Sequence, residues 1–251
     1  MHTLAAFYAS ITNGTALGAV AGVPDQSLTA DSSSRIQVPG PWKLLAAIGI
    51  GVNLSRVQIA APSLLNTFSP EVYPNVVAAA PPATLQITTP RQDAVQFAPT
   101  EYFFPRVSRA GADAQPVAVL TWIGPAFVPA PPGRTFTLWG QVTMTLTAGT
   151  WVLGNPVWDQ QLPVGNYNVV GMVVIANDAF AGRLVFPGGA QFRPGVVATP
   201  AYGNIQAENP FRMGEFGLFG TFSFNAMPQI EVLGVAAGAE AVTVMLDLVK
   251  A

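Results

Sequence analysis

The sequence predicts an all-β protein of the sandwich or barrel kind, built in two halves. Three observations lead there. Apolar residues alternate with Thr and Ser over short runs; 24 Gly and 23 Pro punctuate the chain at short intervals; and the order of features in the first half returns in the second. Strict alternation of β-branched or aromatic residues with polar ones marks half-buried strands. Proline lacks a ladder donor and fixes φ, so it belongs in turns and at sheet edges. Many short strands joined by Gly/Pro turns make a sandwich or barrel.

Val142, Met144 and Leu146 alternate with Thr143, Thr145 and Thr147. Val242, Val244, Leu246 and Leu248 alternate with Thr243, Met245 and Asp247. Phe222 and Phe224 alternate with Thr221 and Ser223. The unbroken apolar runs Leu44–Val52 and Val169–Ala176 suit strands buried on both faces. Turns are expected at Pro39-Gly40-Pro41, Pro81-Pro82, Pro187-Gly188-Gly189 and Pro194-Gly195. No long segment carries a helical period free of Gly and Pro. Short helices are expected at most near Ser63–Phe68 and Val235–Ala241.

The densest proline stretch, Pro125 to Gly133, lies mid-chain and reads as a stiff, extended linker or a surface loop. The predicted division is residues 1–126, a Pro-rich linker at 127–134, and residues 135–251. An internal repeat supports it. Thr12-Asn13-Gly14-Thr15-Ala16-Leu17-Gly18 resembles Thr147-Ala148-Gly149-Thr150-Trp151-Val152-Leu153-Gly154. The run from Trp42 to Asn53 resembles that from Tyr167 to Asn177. Arg56 and Arg183 open the next short strands, and Val117–Ile123 and Ala241–Val249 close the halves. The offsets are all roughly 124 to 136 residues, in one order.

Composition narrows function. Half the residues are hydrophobic and 10% are charged, against about a quarter in an average soluble domain. Covering by a larger assembly accounts for such a surface. The formal charge is −2, and Lys occurs only at Lys43 and Lys250, so no basic track for a phosphate backbone exists. Cysteine is absent, which excludes disulfides and thiolate metal sites. Met1-His2-Thr3-Leu4 lacks the basic start of a signal peptide, so cytoplasmic synthesis without export is expected. Leu44–Val52 is too short to span a bilayer as a helix, and the missing signal peptide argues against an outer-membrane barrel.

Candidate chemistry is sparse. The single histidine, His2, is terminal and expected to be mobile, a poor general base. Histidine triads and histidine zinc sites are thereby excluded. Glu208 and Glu215 flank Asn209 to Gly214, and nothing in that spacing opposes them across a sugar. Asn177-Asp178 and Asp159-Gln160-Gln161 offer oxygens for calcium, without an EF-hand pattern; a turn is the competing reading of Asn177-Asp178. Gly188-Gly189 and Gly214-Glu215-Phe216-Gly217 read as turns, since the phosphate-loop context is missing. Trp139, Trp151 and Trp158, like Phe211, Phe216, Phe219, Phe222 and Phe224, read as core or interface anchors, with a sugar-stacking platform as the alternative. Arg56 and Arg183 suit intersubunit ion pairs or strand-edge protection.

Together these features resemble the double jelly-roll major capsid proteins of tailless icosahedral viruses, often bacteriophages with an internal membrane. The resemblance rests on two tandem all-β halves of about 125 residues, a proline-rich link, low charge and no active site, over most of the chain. It implies two tandem jelly-roll β-sandwiches. It also implies a homotrimer with a pseudo-hexagonal outline, a capsid lattice around a genome, neighbours such as vertex proteins, and location in the virion. Contact with an internal membrane is left open; neither a reaction, a cofactor nor sequence-specific nucleic-acid binding is implied. The chain is short for that family, so one elaborated single jelly roll remains the competing fold. A carbohydrate-binding or adhesin-like β-sandwich using Trp151 or Trp158 is the competing function. A β-sandwich lyase or glycosidase acting through Glu215 is the third.

Overall fold

The computed structural model describes the chain except residues 13, 26, 65–68, 77–86, 90–94, 112–113, 189–191, 201–209 and 213. It is all-β and forms two compact units. One is Leu4–Ala126; the other is Phe127–Ala251 together with Met1–Thr3. Residues 127–134, read from sequence as a linker, thus count with the second unit.

The first unit begins with β1 (Thr3–Ile11), β2 (Gly14–Ala19), β3 (Ala21–Gly22), β4 (Ile36–Gln37), β5 (Lys43–Gly51) and β6 (Leu54–Ala60). A 3-10 turn at Pro62–Leu64 follows, then β7 (Glu71–Val72), β8 (Pro74–Val76), β9 (Tyr102–Arg109) and β10 (Gln115–Gly124). One sheet has the order β3-β1-β10-β5-β8, the other β2-β9-β6-β7. Apart from the adjacent pair β6 and β7, consecutive strands alternate between the two sheets (β4 joins the second through β9), and the last strand inserts beside the first. This is the jelly-roll arrangement. Phe7, Ile36, Val57, Ile59, Phe103, Val107 and Val119 fill its core. β5 and β10 are buried along nearly their whole length, on both faces, as the apolar runs predict.

The second unit begins with β11 (Thr135–Leu146), β12 (Trp151–Gly154), β13 (Val157–Trp158), β14 (Asn166–Ile175) and β15 (Ala179–Val185). It continues with β16 (Gly195–Thr199), β17 (Gly220–Ser223), β18 (Gln229–Gly234) and β19 (Gly238–Lys250). Its strands run β12-β18-β15-β16-β14-β19-β11-β13, with β17 added to β14. β11 and β19 pair over twelve residues, from Thr135↔Val249 to Leu146↔Gly238. Along this ladder Leu138, Met144 and Leu146 are buried while Trp139, Gln141, Thr143 and Thr145 face out.

The same pairings recur in both units. β5 pairs antiparallel with β10, and β14 with β19. β6 pairs antiparallel with β9, and β15 with β18. β2 pairs with β9, and β12 with β18. The repeated sequence elements thus occupy equivalent places. In the second unit one strand links β15 to β14. β16 pairs antiparallel with β15 through Gly195–Val197, then parallel with β14 through Ala198 and Thr199. In the first unit the same route is split in two. β7 pairs antiparallel with β6, and β8 pairs parallel with β5. Tyr73 and Pro74 stand at the break, where proline has no N–H to continue a ladder.

Of the two expected short helices one is corrected. At Ser63–Phe68 a 3-10 turn, Pro62–Leu64, is present at the start, and residues 65–68 lie outside the described residues. Val235–Ala241 is a turn running into β19, because β11 offers a complete antiparallel partner from Gly238 onward.

Candidate ligand groove and sheet face of the second unit

The turn from β12 into β13 and the stretch after it bring Trp158 and Asp159 against the edge of β11 at Trp139 and Gly140. Trp158, in β13, pairs with Gly140 of β11. Its six-membered ring lies against Gly140, where a Cβ would stand 2.6 Å from the ring. Any larger residue at 140 would push the indole away. Asp159 extends this edge. Its N–H donates to the Trp139 carbonyl (2.8 Å), and its Oδ1 accepts from the Trp139 N–H (3.0 Å). Gln160 Nε2 reaches the Thr137 carbonyl at 3.4 Å.

Trp158, Asp159, Gln160, Gln161 and Leu162 form one wall of an open groove of about 580 Å3, and Phe224, Asn225 and Met227 form the other. The lining thus combines an indole, apolar side chains, three amides and one carboxylate, with no cation. Two of the amides, Gln161 and Asn225, make no hydrogen bond among the described residues.

Beside the groove lies the outer face of the β11/β19 ladder. Cross-strand pairs there are Thr143↔Ala241, Gln141↔Thr243, Trp139↔Met245 and Thr137↔Asp247. Asp247 is the one charged group in these pairs, and it is neutralised. Arg212 donates to both its oxygens, from Nε (2.7 Å) and from a terminal nitrogen (2.8 Å), and the Thr137 hydroxyl donates to Oδ1 (2.6 Å). The hydrogen bond to Asp247 raises the Arg212 pKa above its ordinary value. Gly171 makes room for this cluster, since a Cβ there would stand 2.7 Å from Asp247 Oδ2. Exposed Trp139, Leu153, Val157 and Val164 add further apolar surface to this unit.

Arg183 and Trp151 are taken up internally. Arg183 is fully buried, its Nε donates to Glu231 (2.7 Å), and its guanidinium sits 4.1 Å from the Trp151 ring centroid. The expected intersubunit role for Arg183 is corrected to an intramolecular one, because β15 is flanked by β18 and β16 and its side chain is enclosed. Trp151 is thereby spoken for, and of the two tryptophans proposed for glycan binding only Trp158 lines the groove. Arg56 forms an ion pair with Glu71, with both side chains about half exposed.

His2 also differs from expectation. Instead of a mobile end, it is fully buried among Phe127, Phe216 and Phe219, at ring separations of 5.0, 6.3 and 5.4 Å. Burial, and secondarily the adjacent terminal ammonium, lower its pKa to about 3, so it is neutral. Neither ring nitrogen has a hydrogen-bond partner among the described residues. Thr3 continues the attachment, its hydroxyl accepting from the Arg193 N–H (3.2 Å). The short sequence Met1-His2-Thr3 gave no signal of this, since the aromatic partners lie more than a hundred residues downstream.

Of the other candidates, Glu208 and Gly189 lie outside the described residues, and Glu215 is exposed. Gly188 and Gly214 have positive φ in turns. Gly217 also has φ of 62°, and its N–H closes a turn onto Gly214 O. Asn177-Asp178 is the turn between β14 and β15, with the Asn177 N–H donating to Glu240 (2.6 Å). Among the described residues, no three His, Cys, Asp or Glu groups cluster as metal ligands would. No helix of the described chain is long and apolar enough to cross a membrane.

The fold and these surfaces define a jelly-roll β-sandwich protein. No family model matches the chain, and no curated protein matches it. Among solved structures it is similar to the major capsid protein of bacteriophage PM2, at 11% identity and a TM-score of 0.24, covering 100% of this chain and 98% of that one. Similarity that low carries no weight for function, and the fold assignment rests on the strand pairings.

Proposed function

We propose that the chain is a virion structural protein: a major capsid protein that associates with its own copies, as trimers, into an icosahedral shell, without catalysing a reaction. The observation that carries this reading is the outer face of the β11/β19 ladder. It presents Thr, Gln, Ala and Trp, and its single carboxylate, nearly buried, is already matched by Arg212. An uncharged sheet face on a chain with 10% charged residues is suited to cover by another subunit. The repeated jelly-roll pairing supports it physically. Three copies of a two-unit chain supply six similar modules, and closed symmetry prevents open-ended strand addition. Vertex proteins and an internal membrane belong to the same proposal as neighbours of the lattice. The scarcity of Lys argues for enclosure of a genome without direct sequence-specific contact.

Light scattering coupled to size exclusion, followed by cryo-electron microscopy at high concentration, tests this. Trimers with a hexagonal outline, or closed shells, are expected. A monomer at every concentration overturns the reading. A Thr143→Lys/Thr243→Lys variant, placing charge on the ladder, is expected to stay folded and lose association.

A further inference from the structure

The groove between Trp158–Leu162 and Phe224–Met227 has a chemistry that subunit packing does not require. Its volume of about 580 Å3 falls in the roughly 300–1,000 Å3 range of small-molecule sites. Trp158 is held from behind by Gly140 and lines the groove, so its indole is a fixed platform. Asp159 is pinned to β11 by two hydrogen bonds, which leaves Oδ2 free to accept. Gln161 and Asn225 each carry an amide with both donor and acceptor capacity and no partner among the described residues. Apolar Leu162, Phe224 and Met227 complete the lining.

We propose that this groove binds a neutral oligosaccharide. A pyranose offers an apolar C–H face to an indole and a rim of hydroxyls that both donate and accept. Amides and a carboxylate match that rim. Anionic ligands are disfavoured, since the lining has a carboxylate and no cation to match a phosphate or sulfate. A purely apolar ligand would leave two amides and a carboxylate oxygen desolvated without partners. The inference concerns a surface attachment site and stands apart from the assembly proposal.

The test is an NMR titration of the purified full chain, in whatever oligomeric state it adopts, with maltotetraose, cellotetraose, chitotetraose and mannotetraose. It reads the five tryptophan indole N–H signals. A saturable shift of the Trp158 signal with at least one sugar is expected, and calorimetric titration with that sugar, which needs no indole signal, should show binding lost in Trp158→Ala. Because Trp158 also packs on Gly140, a Gln161→Ala/Asn225→Ala variant provides a second arm. It should fold normally and bind about tenfold more weakly, which corresponds to ~1.4 kcal/mol. No saturable shift with any of the four sugars overturns the proposal, as does binding that both variants retain. Either result leaves the light-scattering outcome unaffected, so failure here and failure of assembly are separable.

Discussion

The arginines on corresponding strands of the two units have opposite fates. Arg183 on β15 is fully enclosed between Glu231 and the face of Trp151. Arg56 on β6 meets Glu71 at the surface, with the two side chains 55% and 50% exposed. The local sequences announce no such difference; each Arg follows an apolar strand and a turn. The neighbouring strands make it. β18 places Glu231 opposite Arg183, whereas β9 places Ser108 opposite Arg56. A charge on a repeated strand therefore becomes a core element in one unit and a solvated pair in the other.

The largest expected effect breaks this comparison on its buried side. Arg183→Ala leaves Glu231, only 16% exposed, without its partner. It should cost about 3–5 kcal/mol, the usual penalty for stranding one member of a buried pair. Urea denaturation would show it as a fall in midpoint; a loss below ~1 kcal/mol would mean the pair is effectively solvated.

Next comes acid. His2 is neutral when folded, with a pKa near 3 against an ordinary 6.5. The native state then binds fewer protons than the unfolded state between those values. Stability should be level above about pH 6.5 and should fall as pH drops toward 3, by up to roughly 4 kcal/mol from this group alone. His2→Leu fits the phenylalanine cage and should flatten the difference in stability between pH 6.5 and pH 5. An unchanged slope in that variant would assign the acid sensitivity to other groups.

Smaller effects come from the glycines where strands approach closely. A Cβ at Gly182 would stand 2.7 Å from Val174 Cγ2, and one at Gly49 would stand 2.6 Å from Val57 Cγ2. Alanine at either should cost about 1–3 kcal/mol by overpacking. Similar losses of thermal stability in the two variants would sharpen the view that the units share one packing scheme. Smallest of all, Arg56→Ala should change stability by no more than ~1 kcal/mol, measured in the same denaturation assay, since exposed pairs contribute little.

Much of the architecture was legible because strand patterning is local. The alternation around Val142–Leu146 appears in β11 as inward and outward rows, whereas in β19 it holds only as far as Thr243, since Val244–Val249 are all buried. The apolar runs at Leu44 and Val169 became β5 and β14. The bridging strand was not legible. Gly195–Thr199 is a five-residue apolar run whose two halves pair with different strands, and nothing in its pattern marks the change. The groove was half legible: Trp158 and Asp159-Gln160-Gln161 drew attention as side chains, while Phe224, Asn225 and Met227 reached them only through the fold.

By itself, then, the sequence determined that this chain is all-β, repeated, low in charge and free of cysteine, since composition and period-2 patterning are properties of neighbouring residues. Tertiary structure alone decided that Arg183 would find Glu231, that His2 would be sealed among phenylalanines, and that Trp158 would face two unpaired amides. The physical reason is separation along the chain. Partners tens to hundreds of residues apart are brought together by strand pairing and burial, and no local pattern encodes which of them will meet.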